Sequence, residues 1–341
     1  MKKIFLLSLA LLLVMSAVLL AGNEQRIGTA GAQELRIPIG SRGSALGGSA
    51  IANASGAEAL YWNPAGVASM SGTEAMFSHL EYFADMNLEY VAMATTIEGF
   101  GTLGASVKVL SVGDILKTTA SDPQGTAGET FGPTFSVIGL TYARQFTDRV
   151  SFGATGYFIN EKIDLVEARG VAFDFGFTYV PNWRALKFGV VLKNFGPQMQ
   201  FSGSGFDIKT QPPGTDPNSA NKTLRSESEG FDLPSSIQFG VAWNALETNE
   251  MNNLEVSGTF QANNFSQDEF KGGAEYSYND MFFLRGGFVG SSQDDYTFGG
   301  SFGAGVKLHW GESHISLDYS WQQVDVNGFD DNQYFTVKFA F

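Results

Sequence analysis

From about Glu74 to the last residue, the chain falls into segments of roughly ten residues in which apolar side chains alternate with small or polar ones. A period of two marks strands whose faces meet different surroundings. Ile315, Leu317, Tyr319 and Trp321 alternate with Ser316, Asp318, Ser320 and Gln322. Val171, Phe173, Phe175, Phe177 and Tyr179 alternate with Ala172, Asp174, Gly176 and Thr178, and Leu254, Val256 and Phe260 with Glu255, Ser257, Thr259 and Gln261. A soluble sandwich would also alternate, but its strands run about 5–6 residues. These match the ~9–11 residues of a tilted membrane strand. The pattern predicts fourteen strands, near 74–82, 87–97, 101–110, 134–146, 150–160, 171–180, 186–195, 235–244, 252–262, 270–278, 281–290, 297–309, 314–322 and 334–341.

The connections between these segments alternate in length. Glu98-Gly99-Phe100, Thr147-Asp148-Arg149, Asn279-Asp280 and His309 to Ser313 are turn-sized, whereas Ser111 to Pro133, Glu161 to Gly170, Gly196 to Pro234 and Gln323 to Gln333 are longer. Short turns on one side and long loops on the other describe an all-β, antiparallel transmembrane barrel. Its expected lumenal face carries Asp174, Glu255, Glu275, Asp318 and Lys338. The chain ends Tyr334-Phe335-Thr336-Val337-Lys338-Phe339-Ala340-Phe341, in which Tyr334, Phe339 and Phe341 resemble the signal read by the outer-membrane assembly machinery. Composition agrees: 41 glycines, no cysteine, and charged residues at 16%, against about 25% in soluble domains. A net charge of −14 argues against nucleic acid, because phosphate neutralisation needs clustered Lys and Arg.

Met1-Lys2-Lys3 followed by the apolar run Ile4 to Leu20 has the form of a Sec signal peptide. A membrane anchor is the alternative reading of that run. Ala30-Gly31-Ala32 offers a cleavage site, with an earlier one after Ala21. The expected organisation is a signal peptide at 1–32, a lumenal plug at 33–72 and a barrel at 73–341, placed in the bacterial outer membrane with its lipid.

The segment before the barrel has a different texture. It runs Ile39-Gly40-Ser41-Arg42-Gly43-Ser44-Ala45-Leu46-Gly47-Gly48-Ser49-Ala50-Ile51-Ala52 and then Ala57-Glu58-Ala59-Leu60-Tyr61-Trp62-Asn63-Pro64-Ala65-Gly66-Val67-Ala68. Small residues let backbone pack closely in a crowded space, and a fourteen-stranded barrel has a lumen that needs filling. This segment resembles the N-terminal hatch of the FadL superfamily of outer-membrane transporters, and is most similar to the PorV/PorQ family within it. The resemblance implies a hatch turn at Asn63, Pro64, Ala65 and Gly66 and a close-packed stretch at Gly47-Gly48; a folding role in the plug, with no ligand contact, is the preferred reading of these residues. It implies a non-enzymatic role in type IX secretion, binding cargo or partner components at the outer membrane. The alternative it implies is transport of a hydrophobic ligand through the hatch and a lateral gap, with Gly101 and Gly104 in the third strand as the kink.

Enzyme and metal chemistry find little support. Gly299-Gly300-Ser301-Phe302-Gly303 matches a nucleophile pattern, but in a Gly-rich strand instead of a strand-to-helix elbow. His309 and His314 flank a turn, His79 stands alone on a strand, and three histidines at these spacings make no metal site. Asp268-Glu269, Asp294-Asp295 and Asp330-Asp331 read as solvated outer loops, with calcium as the other use for such oxygens. The loop from Gly196 to Pro234, with Gln211-Pro212-Pro213-Gly214 and Asp216-Pro217, is long enough to dock a partner or receive a ligand. No cofactor is expected.

Overall fold

Strand formers at every second position give each hairpin one lipid-ready face and one polar face, and the computed structural model shows how they close. It describes residues 26–341 apart from 182, 184, 212–213, 215–219, 247–250, 292–295, 312 and 327. Residues 1–25 of the expected signal peptide, Asp294-Asp295, Pro212-Pro213 and Asp216-Pro217 lie outside the described residues, whereas 26–32 of that peptide are described.

The strands are β1 (Thr73–Tyr82), β2 (Met86–Ile97), β3 (Gly101–Ser111), the outer pair β4 (Ile115–Leu116) and β5 (Thr130–Phe131), then β6 (Thr134–Thr147), β7 (Val150–Ile163), β8 (Val166–Tyr179) and β9 (Leu186–Phe195). Four outer strands follow, β10 (Met199–Gly203), β11 (Asp207–Thr210), β12 (Lys222–Arg225) and β13 (Gly230–Phe231). The wall resumes with β14 (Ser236–Asn244), β15 (Asn252–Asn263), β16 (Glu269–Tyr278), β17 (Phe282–Ser291), β18 (Phe298–Trp310), β19 (Ser313–Val324) and β20 (Asn332–Ala340). β1 to β3, β6 to β9 and β14 to β20 form a closed antiparallel barrel of fourteen strands. Closure is by β1 on β20, from Glu74 opposite Ala340 to Glu81 opposite Gln333. A closed sheet leaves no unpaired edge, which is what a strand protein in lipid requires.

The outer face of the wall is apolar over its middle: Leu140, Phe158, Phe173, Phe175, Phe288, Phe302, Leu317 and Phe335 are all exposed. A soluble protein does not leave so continuous an apolar surface in water. Asp174, Glu255 and Asp318 are buried on the lumenal side.

One connection differs from its expectation. Glu161 to Gly170 is no loop, because β7 and β8 run on to a tight hairpin at Asp164-Leu165, with Asp164 at φ 47°. At these ends the outward positions Asn160, Lys162, Glu167 and Arg169 are polar while Ile159 and Ala168 are buried inside, so the apolar-out, polar-in contrast of the membrane zone fades while the ladder continues. Lys162 opposite Glu167 supplies a favourable cross-strand pair there.

Residues 26–72 lie inside the barrel as short helices and turns. The segment starts at the end opposite the C-terminus, where Gly31 N–H donates to the Asp232 carbonyl at 3.1 Å and Arg26 pairs with Asp232 at 3.0 Å. It then winds past the wall and leaves at the C-terminal end, where Thr73 N–H meets the Phe341 carbonyl at 2.8 Å. The wall makes room with small inward residues at one height. A Cβ at Gly104, Gly153, Gly176, Gly189, Gly273 or Gly287 would clash at once with Leu60, Pro64, Asn63, Ile51 or Leu46 of the segment.

Candidate functional site

Above the lumenal segment, at the end away from the C-terminus, lies a cavity of about 830 Å³. That is within the ~300–1,000 Å³ of small-molecule sites. Its walls are mostly apolar. Tyr82, Phe83, Met86, Leu110, Val112, Phe135 and Ile163 line one side, Phe201 and Phe231 another, and Tyr296 and Phe298 a third, while Leu35, Ile37, Pro38 and Trp62 come from the segment itself. Tyr82 and Phe83 pack at 4.4 Å between ring centroids and Phe201 and Phe231 at 5.5 Å. The cavity is aromatic because strand ends and outer connections at this rim place a ring on their inward positions.

Charged groups on the cavity wall mostly satisfy one another. Arg36 reaches Glu269 at 3.1 Å, Lys271 reaches Glu269 at 2.9 Å and the Gln261 amide oxygen at 2.6 Å. Lys193 donates to the Tyr61 carbonyl at 2.9 Å and lies 3.6 Å from the centre of the Tyr61 ring. Lys108 donates to the Ile37 carbonyl at 2.8 Å. These two lysines tie the wall to the backbone of the lumenal segment.

Beneath the cavity a chain of alternating charges holds the segment in place. Lys187 pairs with Glu255 at 3.0 Å, and Arg42 of the segment lies between Glu255 at 3.5 Å and Glu275 at 2.9 Å. Glu275 also takes Arg285, which meets Asp318 at 2.6 Å. Lys338 follows, 3.4 Å from Asp318 and 3.7 Å from Glu58, whose other oxygen accepts the Gly43 N–H at 2.7 Å. Each buried charge has opposite neighbours, as the low-dielectric lumen demands. The wall members could be read from their inward parity, but Arg42 and Glu58 as their counterparts could not.

Among the residues expected from sequence, Gly47 and Gly48 line the cavity. Gly47 has φ +63°, and a Cβ there would sit 2.5 Å from the Phe288 carbonyl oxygen. Both facts demand glycine. Asn63, Pro64, Ala65 and Gly66 are buried at the C-terminal end, away from the cavity. Asn63 Oδ1 accepts the Ala65 N–H at 3.0 Å and its Nδ2 donates to the Ile51 carbonyl at 2.7 Å. The motif therefore closes a turn and pins it to the rest of the segment.

The gap expected at Gly101 and Gly104 is not formed. β3 pairs with β2 and with β6 along its length without a register shift, and Gly104 is small because Leu60 presses on it, 2.3 Å from where a Cβ would lie. The wall is irregular elsewhere, where β8 meets β9: the register shifts between Phe173 and Phe175, Asn194 takes φ 56°, and β9 stops at Phe195 before β10 resumes at Met199. Nor do the three C-terminal aromatics share a face. Phe339 and Phe341 are exposed, but Tyr334 is fully buried with its hydroxyl on Gln322 at 3.1 Å, and Phe335 takes the outward place. Even and odd positions of a strand point oppositely, so Tyr334 could not have joined them.

The enzyme motif is equally inert in place. The Ser301 hydroxyl donates to the Ala45 carbonyl at 3.0 Å, whereas His309 and His314 stack against each other across the hairpin at the opposite end of β18. His79 bonds Glu89 across β1 and β2 at 2.6 Å. Asp268 accepts the Asn263 N–H and Asp331 the Val324 N–H. No group of three or more potential metal ligands occurs among the described residues.

The fold is shared with solved structures of low sequence identity. One is the Pseudomonas putida toluene transporter TodX, 13% identical with a TM-score of 0.57 over 89% of this chain and 98% of that one. Another is the Ralstonia pickettii toluene transporter TbuX, 15% identical with a TM-score of 0.55 over 88% and 97%. A third is a Pseudomonas aeruginosa FadL homologue, 13% identical with a TM-score of 0.51 over 89% and 98%. No curated protein matches the chain by sequence. Fold and lumen together define a closed fourteen-stranded β-barrel with an N-terminal segment in its lumen, the fold these structures share. Within that class the chain belongs to the uncharacterised protein family UPF0164, whose family model matches residues 13–328.

Proposed function

We propose that this protein is an outer-membrane channel for hydrophobic small molecules, which enter the aromatic cavity from outside and are held above the lumenal segment. The observation that carries the reading is the cavity: about 830 Å³, walled by rings and aliphatic side chains, and floored by the chain's own N-terminal residues. Two similar structures are named as toluene transporters, and a lumen of this shape suits such cargo. In this reading the export signal ends at the earlier site, after Ala21, because Arg26 and Gly31 are seated on Asp232; the residues up to 72 act as the plug, and Phe339 and Phe341 present the barrel to the assembly machinery and the lipid.

The secretion role implied by the PorV/PorQ resemblance is not the reading adopted. Two of the similar structures named above are toluene transporters, and a small apolar cargo suits the cavity better than a protein one. The test is titration of the detergent-solubilised protein with ethylbenzene, followed by calorimetry. Saturable binding that disappears in Ser266→Trp, which puts an indole into the cavity lining, supports the proposal. Absence of binding to the wild-type protein contradicts it.

A further inference from the structure

The cavity wall contains a buried acid to which no Lys or Arg side chain donates among the described residues. Glu34 is 2% exposed, and among the described residues its carboxyl oxygens find no nitrogen donor from another side chain and face only the carboxyl of Glu161. It lines the cavity together with Glu161 of β7, whose carboxyl is the charge that acts most strongly on it. Two buried carboxyls set against one another are costly without a cation beside them. Lys108 is the nearest cation to act on Glu34, yet its bond goes to the Ile37 carbonyl and no ion pair joins the two.

Apolar contact surrounds this pair. Leu35, next to Glu34, belongs to a buried cluster with Val137, Ile159 and Met199, against which Phe201 and Phe231 pack. A hydrocarbon alone would fill that surface and leave the carboxyls unsatisfied. A hard metal ion needs more oxygen ligands than two carboxyls supply, and no larger ligand group exists among the described residues. An organic ammonium supplies donors to the carboxyls, and its apolar body suits rings that also attract cations.

Building on the channel reading, we infer that the preferred ligands are amphipathic amines, with the nitrogen at Glu34 and Glu161 and the apolar body against Phe201 and Phe231. Hydrogen bonds between charged partners are worth about 1.5–3 kcal/mol, so an amine should bind roughly ten- to a hundredfold tighter than its hydrocarbon counterpart.

The experiment compares 2-phenylethylamine, ethylbenzene and 3-phenylpropionate on the full detergent-solubilised barrel. The expected result is an amine preference over ethylbenzene of about tenfold or more, with the carboxylate weakest. Glu34→Gln and Glu161→Gln should each reduce the amine-to-ethylbenzene ratio to near one, in preparations whose heat-modifiable gel mobility shows a closed barrel. Equal binding of amine and ethylbenzene by the wild-type protein overturns this inference and leaves the channel reading intact. So does a ratio unchanged in both variants, or a preference for 3-phenylpropionate. If neither the amine nor ethylbenzene binds, both readings fall together.

Discussion

Arg42 of the lumenal segment meets Glu275 of the wall with two parallel bonds, Nε to Oε2 at 2.9 Å and Nη2 to Oε1 at 3.0 Å. The contact joins residues far apart in sequence across an interior closed to bulk solvent, and a planar guanidinium is the group that matches a carboxylate in this way. With Glu58 on Lys338, it is one of the two points at which the segment enters the charge chain running from Lys187 to Glu58. Removing one partner should leave Glu275 and Glu255 short of a cation. Arg42→Ala is expected to destabilise the seated segment by about 3–5 kcal/mol. Protease cleavage within residues 33–72 should then accelerate in a barrel that stays closed by gel mobility. Arg42→Lys, which keeps the charge without the fork, should fall between.

A second prediction concerns the belt of small residues. A Cβ at Gly176 would lie 2.1 Å from Asn63 Oδ1, so Gly176→Ala should push the segment from its seat at a cost of about 1–3 kcal/mol. Planar-bilayer recordings should show larger or more frequent openings than the wild-type protein. Gly300→Ala, where a Cβ meets open space, should behave like wild type.

Asn63 separates two functions of one side chain. Asn63→Ala loses a helix cap, at about 0.5–2 kcal/mol, and strands the Ile51 carbonyl. Asn63→Asp keeps the acceptor for Ala65 but loses the donor, so it should destabilise less than alanine if the cap dominates. Thermal unfolding of both variants measures the split.

How much of this was legible beforehand depended on whether the signal was local. The strands from β14 to β20 follow directly from alternation, because lipid outside and charge inside write opposite chemistry on adjacent residues. The far ends of β7 and β8 were hidden, since their outward face turns polar at Lys162, Glu167 and Arg169 while Ile159 and Ala168 are buried inside, and the apolar-out pattern of the membrane zone is lost. In the lumenal segment, Gly47, Gly48 and Asn63 stood out through motif and turn chemistry. Glu34, Arg42 and Glu58 did not, since a single acid or base in a small-residue stretch shows no partner until the chain is wound inside the barrel. Gly104 misled for the opposite reason: a strand glycine can mark a bend, but it can also receive a neighbour's side chain, and Leu60 supplies one.

Glu34 also predicts a pH dependence. Burial first, and the neighbouring Glu161 charge second, push its carboxyl up to about 8, with Lys108 opposing. The folded protein then holds a proton that the unfolded chain releases near its ordinary value of 4.5. Stability from this group is therefore complete below about pH 4.5 and lost as pH rises through about 8. Resistance of the lumenal segment to protease should fall between pH 6 and 9, and Glu34→Gln should flatten that profile.

The central claim is that the cavity admits hydrophobic molecules from outside the cell. Its most direct test is uptake of radiolabelled toluene by a host whose lipopolysaccharide-covered outer membrane excludes it, with and without this protein. The account predicts faster initial uptake with the wild-type protein than with the empty host, and a return to the empty-host rate with Ser266→Trp assembled at equal abundance. Identical rates in all three strains would contradict it.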